Sequence, residues 1–237
     1  MLTDRNLFTR AIRDLSGAVE HIDGRDVDRV VSCISNARQV SVFGCGGEGL
    51  QIRGFAMRLF HLGRSVSVVR DMTTPAITKG DLLLVTAGSG TLSSALALVG
   101  VAKAAGAHVL TAEPEGPVPK MSDEILVLPA QTMASDHGEN ISILPMGSVY
   151  EGALFVLFEV IILKLKSSLK VTDQVMRSNE SRIAARRRRH SSERQLYGRC
   201  PLRARTERFS NVAFDPNCDI RALGPVSTKC ASPVIDP

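Results

Sequence analysis

The chain has 237 residues, of which 44% are hydrophobic and 4% aromatic, with no Trp and a formal net charge of +5. That suffices for one globular domain with an appendage, its core resting on Val, Leu, Ile, Ala and Met as in proteins with buried parallel strands. Five cysteines, odd in number and without C-x-x-C spacing, support neither a disulfide framework nor a zinc site. Together with an N-terminus that has no apolar signal core, they point to reduced thiols in the cytoplasm. The positive charge sits in the tail, since residues 182–237 carry a net +7 and residues 1–181 a net −2.

Taken in chain order, Leu7, Ile12, Leu15 and Val19 fall at helical spacing. Gly24 interrupts, and Val27, Val30, Val31 and Ile34 resume the period, so two helices precede the first strand. Strands are then predicted at 39–44, 65–70, 81–87, 108–112 and 124–130, with helices near 49–62, 92–105 and 148–168. This alternation predicts a five-stranded parallel sheet in a doubly wound three-layer α/β/α sandwich. The most apolar run, 152–165, is interrupted by Glu159 and Lys164 and is too short to span a membrane. It reads as a buried or subunit-interface helix. The periodic pattern ends near residue 178, which gives a domain over 1–178 and a basic extension over 179–237. The RRRR run at 186–189 could be a nuclear address or a nucleic-acid patch. Without interleaved aromatics it is read as part of a solvated, disordered tail, and nucleic acid is not expected as a partner.

Two glycine loops carry the functional signal. Gly44, Gly46 and Gly49 fit G-x-G-x-x-G between a strand and a helix, and Asp71 ends the next strand, which together satisfy a nicotinamide-dinucleotide fingerprint. Against that reading, little chain remains for a catalytic domain, and a second small-residue loop, TAGSGTLSSA (86–95), follows the third strand. Two such loops at the carboxyl ends of parallel strands suit one phosphorylated ligand at the switch point of the sheet.

Four separated blocks, FAMRLFHLG (55–63), MTTP (72–75), GDLLLVTAGSGT (80–91) and LPMGSVYEGALFVLFE (144–159), resemble the sugar isomerase (SIS) domain family. Within it they are most similar to the 6-phospho-3-hexuloisomerases and their plant relatives. The resemblance spans about residues 5–178. It implies a dimeric or tetrameric, cofactor-independent isomerase of phosphosugars, whose sites neighbouring subunits complete. It assigns the phosphate to Gly88, Ser89, Gly90 and Thr91 and the base to Glu151. The alternative is a non-catalytic phosphosugar-binding regulator on the same fold.

The residue types suit the chemistry. Moving a carbonyl between C3 and C2 through an enediol needs one group that takes a proton from one carbon and returns it to the neighbour. A Glu at the start of an apolar helix fits, with desolvation raising its pKa from about 4.3 toward roughly 6–7 and the helix dipole opposing the rise. His61 is the other proton carrier within the matched blocks, though its apolar neighbours also suit a structural place. Arg53 and Arg58 are candidates to neutralise the phosphate, and Thr73 and Thr74 to floor the pocket, with Pro75 fixing the turn. The first loop, with Gly46, Gly47 and Glu48, departs from the family's usual G-x-G-R-S-G or G-x-G-R-E-G, because Gly47 replaces the arginine. Ala87 and Leu92 replace a serine and a threonine of the second loop. Losing these contacts is expected to weaken phosphate binding.

Overall fold

The computed structural model describes residues 4–88, 91–112, 115–137 and 142–180. Two helices come first, α1 (Asp4–Val19) and α2 (Gly24–Asn36). The second begins where Asp23 accepts a hydrogen bond from the Arg25 amide at 2.8 Å, and it buries Val27, Val30, Val31 and Ile34 along one stripe. Then follow β1 (Val40–Gly44), α3 (Gly46–His61), β2 (Val66–Val68), β3 (Leu82–Thr86), α4 (Ser93–Ala104), β4 (His108–Thr111), α5 (Pro117–Met121), β5 (Glu124–Ile125) and α6 (Ser148–Ser168). Residues 173–180 are again helical, so the domain boundary expected at 178 falls inside a helical stretch. From residue 181 onward the expected basic tail lies outside the described residues.

All strand pairs are parallel, in the order β2-β1-β3-β4-β5. That order places a topological switch point between β1 and β3, where the connections leave in opposite directions and open a crevice at the carboxyl edge. Strand alternation builds two cores. Val40, Val42, Leu82, Leu84 and Leu110 face α2, α3 and α6, while Phe43, Leu83, Val85 and Val109 face α4 and α5. The result is the expected α/β/α sandwich.

Helix α6 is the centre of the larger core. Phe158 stacks on Phe55 of α3 with ring centroids 4.4 Å apart, and Arg58 donates to Glu159 at 2.9 Å. On its other flank Gly152 lets Leu15 of α1 approach to where a Cβ would lie 2.7 Å from Leu15 Cδ2. No helix among the described residues is long and apolar enough to cross a membrane.

Two local expectations are corrected. The fifth strand pairs only over Glu124–Ile125, although the Leu126 and Leu128 amides still donate to Thr111 and Ala112 carbonyls at 2.8 and 3.3 Å. The next amide in that alternation, from Ala130, instead turns back to the Leu128 carbonyl at 2.8 Å. Helix α5, with Pro117 in its first turn, is too short to have shown a helical period.

Candidate active site

The two glycine loops do converge. After β1 the chain turns into α3 through Gly46, whose φ of +57° suits glycine. Gly44 and Gly49 are required by packing: a Cβ on Gly44 would lie 2.5 Å from Thr86 Oγ1 of β3, and one on Gly49 would lie 2.8 Å from the Gly44 carbonyl. The fingerprint glycines therefore bring β1, α3 and β3 together, whatever ligand is bound. Asp71, the acid of the dinucleotide reading, is exposed and lies 4.0 Å from Arg53.

Between these loops and the start of α6 lies a cavity of about 620 Å³. Gly46, Gly47 and Glu48 form one wall, Thr86 and Gly88 another, Tyr150 and Glu151 a third, and Thr132 and Met133 close it. Helix α6 enters through two consecutive left-handed residues, Met146 (φ 54°) and Gly147 (φ 75°). Gly147 is held so close to the 132–133 backbone that a Cβ there would stand 2.5 Å from the Met133 nitrogen. This turn aims the first turn of α6, and with it Glu151, into the cavity. Because the amino ends of α3 and α6 both face the same space, their peptide dipoles favour an anion there.

The Glu151 carboxylate lies directly over Gly47, whose hypothetical Cβ would be 2.0 Å from Oε1 and 2.4 Å from Oε2. In this geometry any side chain at 47 would have to displace the carboxylate, so the space Glu151 occupies here is left by the glycine. Glu48 is the second carboxylate of the cavity. Both of its oxygens accept from the Gly88 amide, at 2.9 and 3.0 Å. Burial pushes its pKa up, the Gly88 hydrogen bond opposes this, the Glu151 charge adds to the rise, and the Thr86 hydroxyl opposes it. Glu48 thus places its own carboxylate on an amide of the loop assigned to phosphate.

A curated protein from Mycobacterium gastri, named 3-hexulose-6-phosphate isomerase, is 39% identical over 157 residues, covering 65% of this chain and 78% of the relative. The chain belongs to the 3-hexulose-6-phosphate isomerase family. A Bacillus subtilis protein of the same name is 29% identical over 174 residues, covering 73% of this chain and 94% of its own. Among solved structures, a hypothetical protein from Methanococcus jannaschii, for which that isomerase function has been inferred, superposes with a TM-score of 0.61 at 26% identity, over 74% of this chain and 96% of its own. No family model matches the chain.

Within this family member, the cavity gathers Gly46, Gly47, Glu48, Gly88 and Glu151. Thr91 lies beside it in sequence, and Ser89 and Gly90 are outside the described residues. Four expected residues lie elsewhere in the subunit. Arg53, Thr73 and Thr74 line a separate cavity of about 370 Å³, where the Thr74 hydroxyl donates to the Val68 carbonyl at 2.7 Å and so closes the turn after β2. His61 is buried at the far end of α3, roughly 22 Å of helix from Gly46, and its carbonyl accepts from Asn179 at 2.9 Å. Arg58 is spent on Glu159. Thr132, Met133, Met146 and Tyr150 line the cavity without having been expected. Tyr150 adjoins Glu151 in a matched block and was within reach of sequence reasoning, whereas the 132–133 segment carries no motif.

Proposed function

We propose that this protein interconverts a 3-hexulose 6-phosphate and its 2-keto isomer, without a cofactor, through an enediol formed by Glu151. The observation that carries this reading is the Glu151 carboxylate lying over a bare Gly47, inside a cavity shared by both glycine loops. In the forward direction the carboxylate takes the proton from C2, C2 and C3 become doubly bonded, and the resulting carboxylic acid, open to exchange with solvent, delivers a proton to C3 as the carbonyl forms at C2. One proton must also pass between the two oxygens. Glu48 holds its proton to higher pH than an ordinary glutamate, which suits it to that transfer. The phosphate would be held by Gly88, Ser89, Gly90 and Thr91, with the helix amino ends supplying the favourable potential. Arg53, Thr73, Thr74 and His61 would serve a site only across a subunit boundary. The reading includes a cytoplasmic homodimer or homotetramer, with the domain over 1–178 carrying the activity.

Proton NMR in deuterated water tests it. Fructose 6-phosphate should exchange hydrogen with solvent in the presence of the protein, and Glu151→Gln should reduce exchange and turnover at least about 100-fold while hexose phosphates still raise the melting temperature. Undiminished turnover in that variant would remove Glu151 from the mechanism. Binding without exchange in the unaltered protein would favour the regulator alternative, which the occupation of the Gly88 amide by Glu48 also supports.

A further inference from the structure

At the opposite, amino edge of the sheet, three side chains from three elements meet: Cys33 of α2, His108 at the start of β4 and Glu124 at the start of β5. One donor atom from each lies within 4.8 Å of the others. We propose that they form a zinc site. The set combines thiolate, imidazole and carboxylate, the three protein ligand types that Zn²⁺ accepts in tetrahedral sites. Cys33 Sγ and His108 Nε2 are 3.8 Å apart, within a few tenths of an ångström of the roughly 3.5 Å that tetrahedral bonds of about 2.3 Å to sulfur and 2.0 Å to nitrogen would impose.

The imidazole is turned the right way for this. Its Nε2 faces Cys33, and its Nδ1 faces Asp123 Oδ2 at 3.7 Å, a separation longer than a hydrogen bond. With a metal on Nε2 the Nδ1–H would be drawn toward that carboxylate, which orients a zinc-bound imidazole once it comes within hydrogen-bond reach. Asp123 is itself fixed by Lys103 and by the Val109 amide, which donates to Oδ2 at 2.9 Å. Arg29 donates to Glu124 Oε1 at 2.5 Å, but a carboxylate has two oxygens, so this pair and metal ligation are compatible. Cys33 and His108 also line a cavity of about 630 Å³, from which water can supply the fourth ligand. Binding would replace the thiol proton, releasing it to solvent, and would tie α2 to the first residues of two strands.

The site stands apart from the isomerase reading, and its test does not use activity. The full chain, freed of metal by dialysis against a chelator and kept reduced, is titrated with zinc against a competing chromophoric chelator, alongside Cys33→Ser, His108→Gln and Glu124→Gln. Far-ultraviolet circular dichroism checks that each variant is folded. The proposal expects one equivalent of zinc in the unaltered chain to be weakened at least about tenfold in the Cys33 and His108 variants. Cobalt should show a sulfur charge-transfer band that Cys33→Ser removes and Glu124→Gln retains at lower affinity. Failure of the unaltered chain to take up zinc, or affinities and spectra in folded Cys33→Ser and His108→Gln equal to those of the unaltered chain, would overturn it.

Discussion

Position 47 shows how one missing side chain can define a site. Adding a methyl group there puts carbon 2.0–2.4 Å from the Glu151 carboxylate, and that carboxylate, at the end of a flexible side chain, is what must move. Helix propensity favours alanine over glycine by up to about 1 kcal/mol. Gly47→Ala should therefore keep its urea stability within about 1 kcal/mol of the parent while losing at least about tenfold in kcat. Full activity would mean that the acid works from another position. Glu48 gives a prediction of the opposite kind. Its folded-state pKa is raised by burial first and by the Glu151 charge as well, so the unfolded chain releases this proton at lower pH than the native protein does. Stability then falls as pH rises from the ordinary glutamate value through the raised one, and the whole penalty is present above it. Glu48→Gln should accordingly melt at a higher temperature than the parent at neutral pH, with the gain vanishing near pH 4. It should also lower KM for a phosphosugar, because no charge then competes for Gly88. A gain independent of pH would show that the buried charge is not its cause.

The elements were legible wherever burial on both sides of the sheet left an unbroken apolar run. DLLLVTA reads as a strand because Leu82 and Leu84 enter one core while Leu83 and Val85 enter the other. Helix α6 was legible for the same reason, being apolar on almost every face. What stayed hidden depends on contacts distant in sequence. The 132–133 wall owes its place to Gly147, and Cys33 lies 75 residues from His108, a separation that no spacing rule detects. His61 sits inside a matched block, but at the end of α3 farthest from this cavity, so a role for it in catalysis would belong to a site shared between subunits, which no motif in one chain displays. The α6 entry turn matters more than any one strand, since it fixes Glu151. Gly147 has φ 75° and a hypothetical Cβ 2.5 Å from the Met133 nitrogen, so the conflict is with backbone and no rotamer relieves it. Gly147→Ala should cost about 1–3 kcal/mol in urea unfolding and lower kcat beyond what the stability loss explains. An unchanged unfolding midpoint would mean the 132–133 wall yields freely.

At the scale of the molecule, the apolar surface that α6 leaves uncovered bears on assembly. Its buried face packs on α1, α2 and α3, yet Val156, Val160 and Leu163, at i, i+4 and i+7, are 38%, 39% and 64% exposed, and Phe155 beside them is 55% exposed. A helix of an isolated domain normally turns charge toward water on that side, and contiguous exposed apolar residues mark contact surfaces. The proposed homo-oligomer gives this stripe a partner, and an isologous contact would bring two copies of α6 face to face. Because Leu163 is already largely solvent-exposed, replacing it with glutamate removes little from the core of one subunit, whereas two glutamates facing each other across a two-fold axis would be buried without compensation. Leu163→Glu should therefore shift the sedimentation velocity profile from an assembly to a single subunit at micromolar concentration, while circular dichroism shows the helices intact. An unchanged sedimentation coefficient would place the assembly contact elsewhere on the surface and leave the stripe without this role.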